Sequence, residues 1–282
     1  MAGASMKDIK LRIKSVESTM QITKAMQLVA TSKLRRAKER MESSKPYAVI
    51  SREAMMAAVQ DCAGQSVPFA TPRPVKRRCY VVIAGDRGLA GGYNANIFKA
   101  VAAHAEGVDY CVLPMGRKAV EKYHRAGTEI LSDAYPRVEG MTVGRCYKLA
   151  GDLIKGYKEE TFDELWLVYT SFKSMMTQEV QWELLLPVPP AEQTADKPPV
   201  STVYEPEPEE TIEKVMPDFL AGRVYSALCD SFASEVAARR SAMDSATKNA
   251  GEMISDLRLK YNRARQGAIT QEITEIVAGA EQ

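Results

Sequence analysis

The stretch GDRGLAGGYN, residues 85–94, has the composition of a phosphate-binding loop. Its glycines at 85, 88, 91 and 92 follow the apolar run CYVVIA and precede a helical pattern. That is where a strand–turn–helix unit cradles a phosphate on backbone N–H groups. The spacing does not match that chemistry. A dinucleotide fingerprint needs G-x-G-x-x-G, and a Walker loop needs G-x-x-x-x-G-K-[ST]; here the Lys and the hydroxyl are both missing. The glycines fit a tight turn that needs close packing or positive φ. Other chemistry has little to draw on. The only histidines are His104 and His124, and the cysteines at 62, 79, 111, 146 and 229 form no C-x-x-C pair. Cysteines so scattered suit reduced thiols in a cytosolic protein, not a disulfide framework or a zinc site.

Charge is balanced overall, 38 basic against 36 acidic residues, so net charge selects no polyanionic partner. Its distribution is uneven. Between Lys7 and Lys45 there are eleven Lys/Arg against four Asp/Glu, densest in KLRRAKER at 33–40. A run of this kind is a solvated helix face, a nucleic-acid surface or a contact for an acidic protein. Nucleic acid is disfavoured because no aromatics interleave and the helix is committed to pairing. A second, acidic segment, TVYEPEPEETIEK at 202–214, stands where a helix begins, and acids are favoured there by the helix dipole.

The elements that hold these residues follow from the prolines. All 14 lie between Pro46 and Pro217, which leaves both ends free for long helices. Ile13, Met20, Gln27, Leu34 and Met41 recur every seven residues, with Val16, Thr23, Ala30 and Ala37 three after them. That is a coiled-coil seam. Met243, Ala246, Ala250, Met253 and Leu257 repeat it, and Ile269, Ile273 and Ile276 extend it with a shift. A helix over most of 209–282 has a length of about 100 Å. The two ends are expected to pair antiparallel, because a globular middle joins them.

That middle, 76–200, alternates strand and helix signals. Strands are expected at 79–85, 109–116, 128–133, 164–172 and 180–188, the last two as a hairpin, with helices at 93–105, 117–127 and 142–160. PVPPAEQTADKPPV, 187–200, reads as a linker or exposed loop. The expected fold is a Rossmann-like α/β domain at 76–200 between coiled-coil helices at 1–60 and 209–282. The end of the chain, NRARQGAITQEITEIVAGAEQ, sets polar groups beside an apolar stripe that a coiled-coil tip cannot bury. No apolar run approaches the roughly 20 residues that span a bilayer, and the first residues lack the apolar core of a secretory signal.

With these pieces in place the sequence resembles the γ subunits of rotary F-type ATP synthases along its whole length. The segments that carry the resemblance are MKDIKLRIKSVESTMQITKAMQLVATSKLRRA, DRGLAGGYN, YEPEPEE, FASEVAARRSAMDSATKNA and YNRARQGAITQEITEIVAGA. The resemblance implies an antiparallel coiled coil inside a ring of α and β subunits, with the α/β domain as a foot against the ε subunit and the membrane c-ring. One copy serves each complex. ATP, ADP and Mg then bind the α and β subunits, and this chain binds no cofactor, metal or nucleic acid and has no catalytic residue. It further implies that Lys24, Met26, Lys33, Arg35 and Arg36 lie near the acidic lever loop of β, and that Arg239 lies on another segment facing β. Arg265, Gln266, Thr270 and Glu272 match the part gripped by loops of the ring, and Tyr204, Glu205 and Glu207 match the foot segment that meets the c-ring.

The plastid forms carry a closely spaced regulatory cysteine pair, and this chain has none. Without a transit peptide the chain is expected on the cytoplasmic face of a bacterial plasma membrane, held there through its complex. From the residues alone two other classes stay open, a coiled-coil scaffold without motor role and a Rossmann-like enzyme decorated with helices.

Overall fold

The structure, a computed structural model, describes residues 6–62, 67–190, 203–205 and 207–280, the last four by their backbone alone. Most of the expected 187–200 linker lies outside these residues. The elements are α1 (Met6–Asp61), β1 (Arg77–Ile83), α2 (Tyr93–His104), β2 (Asp109–Met115), α3 (Arg117–Ala126), α4 (Val143–Lys158), β3 (Glu164–Phe172), β4 (Gln178–Leu186) and α5 (Pro208–Ala280). Both long helices carry an internal proline, Pro46 and Pro217. Such a residue removes a helix hydrogen bond at a cost of about 3 kcal/mol. Burial offsets it: Ala48, Met55 and Ala58 beyond Pro46, and Ile212, Met216, Phe219 and Leu220 around Pro217, are all buried.

The chain divides into two compact units, Met1–Thr31 with Arg239–Gln282, and Ser32–Ala238. In the first unit α1 and α5 run antiparallel. Thr23 and Thr247 share a 2.8 Å hydroxyl–hydroxyl hydrogen bond, Gln27 Nε2 donates to Asp244 at 2.9 Å, and Arg258 bonds Glu17 at 2.9 Å. As the number rises on one helix it falls on the other. The α1 seam is the expected one, with Thr23 and Ala30 buried and Ile13, Val16, Met20 and Gln27 partly so. The α5 seam keeps Met243, Ala250 and Leu257 of the expected line but takes Ile254 in place of Met253. Ala250 and Ile254 are buried and Leu257, Tyr261, Ala264 and Ala268 half-buried, an unbroken alternation of three and four. Met253, expected in the seam, is 45% exposed. The expected shift does not occur, so Ile269, Ile273 and Ile276 lie on the outside. Small residues complete the seam where larger apolar ones were sought.

The second unit is built on a four-stranded sheet of order β2-β1-β3-β4, parallel except for the β3–β4 hairpin. β1 is a continuous apolar run because it is covered on both faces. Cys79, Val81 and Ile83 face a core shared with α1, α4 and α5, and Tyr80, Val82 and Ala84 face α2 and α3. The segment expected as a strand at 128–133 makes a single bridge, Val112 to Ile130. It leaves the edge of β2 at once because Tyr135, Val138 and Met141 turn back into the core.

Candidate functional site

In a doubly wound sheet, ligands sit beyond the carboxyl ends of the strands, where the strand order reverses. Here that place lies between β1 and β3, with the glycine turn at its rim, and α5 occupies it. Asp230 accepts hydrogen bonds from the Phe172 N–H at 2.7 Å and the Ser171 hydroxyl at 2.9 Å, which ties down the end of β3. The Tyr93 hydroxyl is 2.6 Å from Ser231 Oγ, and Ser231 reaches toward the Ile83 carbonyl at the end of β1. Glu235, buried, lies over Gly85, where an added Cβ would stand 2.8 Å from its Oε1. Gly116, at φ +93, faces the Ala84 carbonyl so closely that a Cβ would come within 2.2 Å. The turn is glycine-rich because helix and backbone press against it, and the polar residues of α5 fill the crevice.

Beside the turn, Asp86 accepts from the Val138 and Glu139 amides at 2.9 Å each, and Glu139 pairs with Lys33 at 2.5 Å. Arg87, Arg117 and Arg137 border an open cavity of about 250 Å³ with these two acids. Sequence reasoning missed this basic face because its arginines are far apart in the chain, two in separate loops and Arg117 at the start of α3. A larger groove, about 740 Å³, is lined by Arg52 and Met56 of α1, Tyr169 of β3 and Arg223 of α5. Its best-placed cation is already engaged: Arg223 forks onto Glu183, with Nε to Oε1 at 2.8 Å and a second bond from Nη2 to Oε2, and donates to the Ala48 carbonyl.

The residues implied by the resemblance fall in both units. In the helix-pair unit Lys24 is exposed, Met26 and Arg239 are half-buried, and Arg265, Gln266, Thr270 and Glu272 are all exposed on the last turns of α5. There the Thr270 hydroxyl bonds back to the Gln266 carbonyl at 2.9 Å. Around them stand apolar side chains left exposed by the described residues: Leu11, Ile22, Leu28 and Val29 on α1, and Leu259, Ile269, Ile273 and Ile276 on α5. In the sheet unit Arg35 and Arg36 are exposed and Lys33 leans onto Glu139. Tyr204 is half-buried against the core and donates to Asp61 at 2.6 Å; Glu205 and Glu207 beside it are exposed at the start of α5.

No helix among the described residues is long and apolar enough to cross a membrane, and all five cysteines are buried and free. Comparison with known proteins bears on both units. The family model described as ATP synthase matches residues 5–282. The ATP synthase gamma chain of Ruminococcus albus is 47% identical over 97% of this chain and 96% of its own length. That of Alkaliphilus metalliredigens is 41% identical over 99% of each. Among solved structures, a chain of the Euglena gracilis mitochondrial ATP synthase in an OSCP/F1/c-ring assembly aligns with TM-score 0.69 at 16% identity, covering 98% of this chain and 93% of that one. A rotor chain from the same organism aligns with TM-score 0.65 at 17% identity over 94% and 98%. At such identities the structural likeness is one of fold, and the relatives in sequence carry the assignment: this chain belongs to the ATP synthase gamma-chain family.

Proposed function

We propose that the chain is the central-stalk rotor of an ATP synthase, a shaft that couples rotation of a c-ring to conformational cycling of a head of three α and three β subunits. One observation carries this reading. The helix-pair unit has a complete inner seam, yet large apolar residues stand on its outside, with Ile22, Leu28, Val29, Ile273 and Ile276 each more than half exposed. A soluble helix pair with its seam filled has no use for them, whereas a shaft seated in a sleeve of other subunits does. The shaft presents different side chains at each angle, so each catalytic interface around it meets a different surface. Coupling then rests on differential contacts, because a rotor favours one conformation of its surroundings only by binding it better than the others. The filled crevice beside Gly85 agrees with a chain that leaves ATP, ADP and Mg to the α and β subunits.

On this reading Lys24, Met26, Arg239, Arg265, Gln266, Thr270 and Glu272 are head contacts. Lys33, Arg35 and Arg36 supply positive charge for an acidic surface of the head, and Arg87, Arg117 and Arg137, beside the Glu139 that Lys33 pairs with, add to it. Tyr204, Glu205 and Glu207 face the c-ring and ε subunit, and the complex holds the chain at the cytoplasmic face of the membrane. Co-expression with the α and β subunits of the same organism, native mass spectrometry and an ATPase assay test this. A complex of three α, three β and one copy of this chain is the expected result, active where the chain alone is inert. A chain that stays out of the head, or enters in several copies, overturns it.

A further inference from the structure

The α2 face of the sheet carries a cluster that the shaft function does not use. His104, the last residue of α2, stacks on Trp182 of β4 with ring centroids 4.5 Å apart and 24° between planes. It meets Trp166 of β3 edge-on at 5.0 Å. These are the only two tryptophans in the chain. His104 Nδ1 is 2.9 Å from the hydroxyl of Tyr80 on β1, a fully buried residue. Arg78 of β1 donates to the His104 backbone carbonyl at 3.3 Å and pairs with Glu164 of β3 at 2.8 Å. Glu164 also accepts from Trp166 Nε1 at 2.9 Å. Tyr110 of β2 closes the group, edge-on to Tyr80. One side chain thus ties the end of α2 to three strands.

We propose that His104 is a proton-responsive fastener that releases the end of α2 from the sheet on acidification. The logic is in the hydrogen-bond roles. The Tyr80 hydroxyl has His104 Nδ1 as its hydrogen-bond acceptor among the described residues, so its hydrogen goes to Nδ1, which must be unprotonated. When Nδ1 gains a proton it turns from acceptor to donor, and the hydroxyl hydrogen of the fully buried Tyr80 loses its acceptor. The new charge gains contact with the Trp182 ring and some attraction to Glu164, but it sits beside Arg78. Burial, and after it the Arg78 charge, lower the proton affinity of the imidazole, with Glu164 opposing. The sign follows: the folded state holds fewer protons at this site than the unfolded one, so the fastening is complete above about pH 6.5 and lost as the pH falls below it. This inference stands whether or not the chain is a rotor.

Because both tryptophans lie on His104, tryptophan emission of the full-length chain reads the event directly. On acidification from pH 7 toward 5 we expect a one-proton loss of emission with a midpoint below about 6.5. His104→Gln abolishes the step and His124→Gln, at an exposed position, leaves it. Hydrogen exchange at the end of α2, residues 101–105, quickens over the same range. Should His104→Gln not fold, the imidazole resonance of His104 in the wild-type chain, assigned through His124→Gln, gives the titration without it. Flat emission, a His104 titration at or above the free-imidazole range, or exchange at 101–105 that ignores pH overturns the proposal.

Discussion

Gly85 and Gly116 show what a single methyl group weighs in this fold. Adding one at Gly85 drives Cβ onto the Glu235 carboxyl, so Gly85→Ala is expected to lower the stability of the chain by about 1–3 kcal/mol, the range for overpacking. Glu235 can give way by rotating, whereas the Ala84 carbonyl facing Gly116 is backbone and cannot. Gly116→Ala also forces φ +93 on an L side chain, and its cost is expected to exceed about 4 kcal/mol. Denaturant titration of the full-length chain ranks the two. Asp163 works through charge. Burial alone would raise its pKa, but hydrogen bonds from the Lys76 and Arg77 amides and from the Arg73 guanidinium outweigh burial and hold it below the usual carboxylate range. A depressed carboxylate stabilises the fold above its unfolded pKa of about 3.9 and loses that contribution as pH falls below it. Asp163→Asn should therefore lower the melting temperature at pH 7 and remove part of the acid sensitivity below about pH 4. Of these residues only Gly85 was legible in the sequence. Its place in a glycine-rich run announced a turn, but the pressing partner, Glu235, comes from a helix far along the chain, and no local spacing reveals it. Asp163, in the run TFDELW, carries no signal at all, because its donors, the Arg73 guanidinium and two backbone amides, stand at and before the start of β1, far back in the chain.

The helices and strands were read with unequal success, and the reason is periodicity. ELWLVYTSF coincides with β3 because an apolar run rich in aromatic and β-branched residues has few other uses. The 128–133 segment has the composition of a strand but only a bridge to the outer edge of β2. In α5 the apolar residues misled. Met253 drew the seam one position off course, and the real line runs through Ile254, Leu257, Tyr261, Ala264 and Ala268. Small residues hardly register as hydrophobic, yet they decide how closely two helices approach. The two alternatives make opposite predictions. Ile254→Ala is expected to cost about 2–4 kcal/mol, as for a buried aliphatic truncation, while Met253→Ala stays within about 0.5 kcal/mol, as for an exposed site. The midpoint of chemical unfolding decides between them. The Thr23–Thr247 bond adds a test of pairing: either Thr→Val alone should destabilise by about 1 kcal/mol, and both together by less than the sum, because the double change leaves no orphan hydroxyl.

At the scale of the molecule the outside of the helix pair matters more than the inside. Replacing Ile269, Ile273 and Ile276 together by Ser is expected to leave the melting temperature of the isolated chain nearly unchanged, since none of them packs within it. On the rotor reading the same change lowers the yield of assembled complex in native mass spectrometry. Replacing Lys33, Arg35 and Arg36 by Gln should slow assembly most at low ionic strength, where long-range attraction is least screened. The exposure of these residues was half visible in advance: a terminal apolar stripe without a counterpart points to something outside the chain, although its true phase does not. The helix pair has one further consequence, for the order in which the chain can be made. Thr23 meets a residue 224 positions later, and the carboxyl end of β3 is tied down by Asp230, with Ser231 reaching toward that of β1. A ribosome therefore releases α1 with its seam bare, and synthesis must pass the whole sheet and enter α5 before that seam can close. At about 5–20 residues per second this wait lasts on the order of ten seconds or more. During it the nascent chain presents the apolar stripe that chaperones bind, so the first helix to be made is the last to find its partner.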